Sequence, residues 1–223
     1  VILRALVNLD AEGGDTFCGE PDLEPADLLR VSDQGTGVIT LLEVGEQAAR
    51  PVMFSTFLMW VLANLFNDLP EVGDVDKPKL VFFFDEAHLL FKDASKAFLA
   101  QVEQTVKLIR SKGVGVFFCT QLPTDVPNAV LSQLGARIQH ALRAFTPDDQ
   151  QALAKTVRTY PRTEFYDLAS DLTSLGIGEA IVTVLSERGA PTPVAWTRLR
   201  SPRSLMDTIG PDYIKAAAQS SPP

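Results

Sequence analysis

Two uninterrupted apolar runs, each giving way to polar side chains, constrain this chain more than anything else in its 223 residues. The first is Leu80-Val81-Phe82-Phe83-Phe84, followed at once by Asp85-Glu86. The second is Val114-Gly115-Val116-Phe117-Phe118-Cys119, followed by Thr120-Gln121. A short run with no polar alternation predicts a strand covered on both faces, the pattern of a parallel sheet. Between the runs, Phe98, Leu99, Val102, Val106 and Ile109 recur at helical spacing, and Gly113 is a natural terminator. Asp93 is the expected cap of that helix. A strand–helix–strand unit makes the strands parallel, so both polar ends emerge on one edge, where open α/β sheets bind ligands.

The remaining segments extend the pattern. Val38 to Val44 is an apolar, β-branched run and predicts a strand. Pro51 to Phe66 predicts a helix apolar on nearly all sides, hence buried on most of them. That stretch is too short to span a bilayer and holds Ser55, Thr56 and Asn64. A short helix is expected near Pro25 to Arg30, and another from Pro127 to Gly135. Arg137 to Ala144 predicts a third strand. Thr146-Pro147-Asp148-Asp149 is a helix start, with a cap, proline at the first position and acids at the positive end of the dipole. Glu179 to Leu185 and Pro193 to Leu199 predict a strand pair across the Glu187-Arg188-Gly189 turn, with an antiparallel edge. Residues 8–36 read as a long surface excursion. Residues 216–223 are expected to be disordered. The expected division is one α/β domain over residues 1–200 and a partly disordered extension over 201–223. The opening at Val1, within an apolar run, suggests a piece of a longer polypeptide.

The chain is 46% hydrophobic and 22% charged, enough to bury a sizeable core. Its net charge of -8 is not that of a protein that coats itself in nucleic acid. It leaves room for a machine with local positive charge along a pore. The two cysteines, Cys18 and Cys119, form no disulfide framework, which favours a reducing compartment such as the cytoplasm. Cys119 reads as a small buried hydrophobe. The two histidines join no cluster with metal-site spacing.

Adjacent acids at the end of a buried strand suit nucleotide hydrolysis. Asp85 is the candidate Mg²⁺ partner, acting through water because that ion keeps much of its hydration shell. Glu86 is the candidate base for water attacking the γ-phosphate. Gln121, at the end of the second strand, is the candidate sensor of that phosphate or water. The plainer readings are a solvated acidic turn and a loop-stabilising glutamine. The phosphate-binding loop G-x-x-x-x-G-K-[S/T] is absent, since the sequence has no Gly-Lys pair.

Longer stretches carry a family resemblance. They are Asp85 to Phe91, Leu108 to Val116, Thr120-Gln121, Gln133-Leu134-Gly135 and Arg137 to Pro147, with Phe17, Gly19-Glu20-Pro21 and Gly73 to Lys79. Together they resemble the C-terminal part of the HerA-like, YjgR-type bacterial ATPases, over roughly residues 8–200. The resemblance implies a RecA-like P-loop core of the HerA/FtsK branch that uses ATP and Mg²⁺. It implies a helicase or DNA translocase working as a hexameric ring, with DNA as a possible partner. In such rings a neighbour's arginine stabilises transition-state charge. Arg110 is the first candidate, with Arg137 and Arg143 as alternatives. The family's phosphate loop would lie upstream of Val1, so this chain alone is expected to be inactive. An ATP-dependent switch or assembly scaffold that never translocates is the alternative function.

Asp85-Glu86-Ala87-His88 also spells the signature of another helicase group. That group usually follows with Ser-Ala-Thr, where this chain has Cys119-Thr120-Gln121. The match reads as coincidental, and His88 as a helix-start residue that packs nearby.

Overall fold

The computed structural model describes residue 7 and residues 23–42, 51–73, 75–92, 94–205, 207 and 209–220. Expectations for Phe17, Cys18, Gly19-Glu20-Pro21 and Asp93 lie outside the described residues, as does the end of the predicted strand at residues 43–44.

Strands β1 (Leu80–Phe84) and β2 (Val114–Phe118) form a parallel pair, with Leu80 opposite Val114 and Phe84 opposite Phe118. The connection contains helices α2 (His88–Phe91) and α3 (Lys96–Leu108), followed by a 3-10 turn over Ile109–Lys112. This is the predicted strand–helix–strand unit. The cap differs: Ser95, not Asp93, caps α3, its Oγ accepting the Phe98 N–H at 3.1 Å. Gly113 ends the turn at φ 74°, a conformation that suits glycine.

Helix α1 (Pro51–Asp68) buries two stripes, as its all-round apolarity predicts. Leu58 and Leu62 join Phe98, Val102 and Val130 in one core cluster, with Phe82, Phe84 and Phe118 packed against it. Val61, Leu65 and Leu69 join Ile109 and Val114 in a second, with Leu80 and Val116 against it. Period-2 alternation therefore turns Leu80, Phe82 and Phe84 toward the helices. Phe83 and Phe117 point the other way and stack at 4.7 Å, 68% and 49% exposed. The strands were expected to be covered on both faces, and the described elements cover one.

The connector before β1 is pinned to the turn before β2. The N–H groups of Val72 and Gly73 donate to the Ser111 carbonyl, and Lys79 N–H to that of Gly113. Lys112 is buried here; its Nζ donates to the Leu69 carbonyl at 2.6 Å and lies 4.7 Å from the Phe66 ring centroid. Burying an ammonium is costly unless it is bonded, and these contacts explain how the chain tolerates it.

Beyond β2 come a 3-10 turn (Pro123–Asp125) and α4 (Asn128–Leu131). A second sheet then forms in the order β3-β4-β5, from β3 (Arg137–Gln139), β4 (Glu179–Thr183) and β5 (Ala195–Arg198). Both pairings are antiparallel. The β4–β5 hairpin was expected. The third strand is shorter than the predicted Arg137 to Ala144 and pairs with β4 rather than extending the parallel pair. Leu142 N–H leaves the strand pattern to donate to the Leu172 carbonyl. Helices α5 (Pro147–Val157) and α6 (Leu168–Ser174) supply Leu153, Leu168 and Leu172 to the core under β4, around Ile181.

Residues 38–42 form no strand. Near them the described residues make an isolated bridge, Val31 to Gly37, with Val38 N–H donating to the Arg30 carbonyl, and Ile39 and Leu41 are exposed. Helix α7 (Pro211–Ser220) runs through part of the stretch expected to lack order. Proline at its first position and the run Ala216-Ala217-Ala218 favour a helix locally.

Candidate nucleotide-hydrolysis site

Parallel register brings the ends of β1 and β2 side by side. Cys119 N–H donates to the Phe84 carbonyl, and Ala87 N–H donates to the Cys119 carbonyl, both at 2.8 Å. Ala87 is fully buried, so the acidic turn is fastened at its far side. Between these anchors stand Asp85 and Glu86, both exposed.

Asp85 Oδ1 accepts the Glu86 N–H at 3.0 Å. Glu86 adopts φ 46°, the one positive value at a non-glycine among the described residues. A residue other than glycine in this region costs about 1–3 kcal/mol and persists only where its surroundings enforce it. Leu89 N–H takes the Glu86 carbonyl at 2.9 Å, and Glu86 Oε2 lies 3.1 Å from His88 Nδ1.

On the β2 side, Thr120 and Gln121 leave the strand into a bend, and Gln121 is exposed. Asp125, which the sequence reading missed, organises this bend. Its Oδ2 accepts the Thr120 hydroxyl at 2.9 Å and the Leu122 N–H at 3.2 Å. An aspartate two residues from a proline on each side, Pro123 and Pro127, was the available signal. Leu122 packs against the core under β4, which links this bend to the second sheet.

Cys119 is exposed at the same edge, contrary to the expectation of a buried thiol. It lies one residue past β2, where the strand has ended. Partial burial raises its pKa, and the negative charge of Asp85 raises it further.

The structure thus brings Asp85, Glu86 and Gln121 to one edge. Arg110 lies elsewhere, in the turn that precedes β2. The five residues of β2 span about 16 Å, which separates Arg110 from the acidic edge of its own chain. Arg137 is engaged within the fold. Its guanidinium donates to the Thr159 carbonyl at 2.8 Å and lies 5.8 Å from the Tyr160 ring centroid. Burial pushes the Tyr160 pKa up to about 12, with Arg137 pulling the other way. Arg143 is exposed, beside buried Leu142.

The donor set bears on metal binding. No group of three or more His, Cys, Asp or Glu residues gathers among the described residues. Asp85 is a single hard oxygen donor at an open edge. That fits an ion held mainly by water and substrate phosphates, as Mg²⁺ commonly is, and does not fit a protein-only metal cage.

Parallel strands, their connecting helices and two acids at the C-terminal edge make this an α/β fold. The plasmid coupling protein TrwB, solved with a non-hydrolysable ATP analogue, superposes with a TM-score of 0.54 at 15% identity. That match covers 80% of this chain and 43% of TrwB. The genome packaging NTPase B204 of Sulfolobus turreted icosahedral virus 2, solved with AMPPCP, gives a TM-score of 0.48 at 14% identity, over 82% of this chain and 75% of B204. A probable helicase of Methanocaldococcus jannaschii is 30% identical over 153 residues, 65% of this chain and 27% of that protein. This chain therefore matches about a quarter of that relative's length. The helicase HerA-like C-terminal family matches residues 1–223, and the chain belongs to that family.

Proposed function

We propose that this chain is the hydrolytic half of an ATP-driven motor acting on DNA, completed by a phosphate-binding loop outside this sequence. The observation that carries the reading is the fastening of the Asp85-Glu86 turn to the end of β2, with Glu86 in a strained backbone conformation. Strain of this kind clusters at functional sites.

In this reading Asp85 would hold Mg²⁺, an ion that would supply charge neutralisation at the phosphates. Glu86 accepts a proton from the attacking water. Gln121 donates a hydrogen bond toward the γ-phosphate or that water. Charge in the transition state is met by an arginine of a neighbouring copy. Arg110 suits such a role in trans because it sits away from its own acidic edge. The assembly is a hexameric ring in the cytoplasm, and the isolated chain lacks turnover.

Two relatives' names support the reading: a plasmid coupling protein and a probable helicase. A switch or scaffold that hydrolyses ATP without moving DNA is the second reading, favoured by the net charge of -8. The deciding experiment measures ATP hydrolysis by the loop-bearing polypeptide with and without double-stranded DNA, beside Glu86→Gln. DNA-stimulated turnover, reduced about 10²–10⁴-fold in the variant, is expected for a motor with Glu86 as base. Turnover indifferent to DNA selects the switch. Full turnover in Glu86→Gln removes Glu86 as the base.

A further inference from the structure

We propose that His88 is a positioning residue that holds the Glu86 carboxylate in its working orientation. The inference rests on the reading of Glu86 as the base.

The backbone around Glu86 is fixed on every side. Its N–H is bonded to Asp85, its carbonyl to the N–H of Leu89, and the next N–H to Cys119. The side chain is not fixed in that way. It is 48% exposed, and an exposed glutamate samples several rotamers. His88 is the contact that selects one. It opens α2, so its ring is carried by an element packed through the buried Leu90. Its Nδ1 stands 3.1 Å from Glu86 Oε2.

A carboxylate only accepts hydrogen bonds, so Nδ1 is the donor in this contact. One carboxylate oxygen is thereby held, and the other keeps its lone pairs for water. A base needs to lie within hydrogen-bond reach of the proton it takes. Orientation lost at such a group lowers the chemical step far more than substrate binding. A histidine that merely packed at a helix start would affect folding alone.

The test compares kcat, KM, nucleotide affinity and melting temperature for His88→Ala, His88→Asn and Glu86→Gln in the loop-bearing polypeptide. An asparagine amide nitrogen falls near the position of Nδ1 and can donate in its place. The expectation is a kcat reduced about 10- to 100-fold in His88→Ala with KM nearly unchanged, and largely restored in His88→Asn. Unchanged kcat in His88→Ala overturns the proposal, as does an asparagine variant no better than alanine. If His88→Ala fails to fold, His88→Asn and His88→Gln carry the test. Asparagine well above the longer glutamine supports positioning, and equal rates overturn it. Loss of turnover in Glu86→Gln with full turnover in His88→Ala defeats this inference alone. Full turnover in Glu86→Gln defeats the base assignment and this inference with it.

Discussion

The N–H of Ala87 donates to the carbonyl of Cys119 at 2.8 Å, so the turn carrying the two acids is bonded to the strand that leads to Gln121. The two halves of the candidate site therefore share one rigid edge. Ala87 is fully buried, and the space around it is set by that bond. Ala87→Val should destabilise the chain by about 1–3 kcal/mol through overpacking. It should also lower hydrolysis by the loop-bearing polypeptide more than Ile39→Ala, a change at an exposed site. Denaturant titration and steady-state turnover measure the two effects.

Asp125 acts on the opposite side of that edge. One carboxylate oxygen holds the Thr120 hydroxyl and the Leu122 N–H. Asp125→Ala removes the acceptor for both and should cost about 1–3 kcal/mol. With the bend untied, Gln121 loses its fixed approach, and kcat should fall while nucleotide affinity holds. Asp125→Asn keeps an acceptor oxygen and should fall between the parent and the alanine variant. An alanine variant with parental stability would show that the bend is held by something else.

Gly135 tests the join between α4 and the second sheet. A Cβ at this position would collide with the Leu185 side chain, on the segment following β4. Gly135→Ala should lower stability by about 1–3 kcal/mol. Leu185→Ala in the same chain should relieve part of that loss. A double-mutant cycle on melting or denaturant curves measures the coupling.

The start of α5 carries a pH-dependent contribution. Thr146 Oγ1 accepts the Asp149 N–H, while Asp149 Oδ2 accepts the N–H groups of Thr146 and Phe145. The Thr146 N–H contributes most to holding the Asp149 pKa below its ordinary 3.8, with the Thr146 side chain and Phe145 N–H adding and burial opposing. A carboxyl depressed in the folded state stabilises above its unfolded pKa, and that contribution fades as pH falls through the folded value. Asp149→Asn should therefore lower the melting temperature at pH 7, with the difference shrinking below pH 3.8. Thr146→Ala should cost about 1 kcal/mol. A melting difference for Asp149→Asn that stays constant down to pH 3 would contradict this account.

What the sequence revealed follows from which forces are local. Leu80 to Phe84 and Val114 to Phe118 were legible as strands because five apolar residues in a row have few other fates. The parallel pairing followed from the intervening helix, and the shared polar edge from the pairing. The start of α5 was legible because Thr146, Pro147 and Asp149 act within four residues. The partner of β3 was not, since it lies some forty residues away and antiparallel pairing there competes with extension of the first sheet. Aspartate and serine are both good caps, so residue type alone could not choose between Asp93 and Ser95; Ser95 has the extended backbone, φ -67° and ψ 152°, of an N-cap. The contact between Glu86 and His88 depends on a φ of 46°, which no side-chain pattern announces. The position of Arg110 could be read only once β2 had a direction.

The stacked faces of Phe83 and Phe117 leave apolar ring surface on the side of β1 and β2 that the described elements do not cover. A molecule that covered this face in the native form alone would raise the apparent melting temperature in proportion to the logarithm of its concentration. For such a molecule, a melting curve would double as a binding measurement.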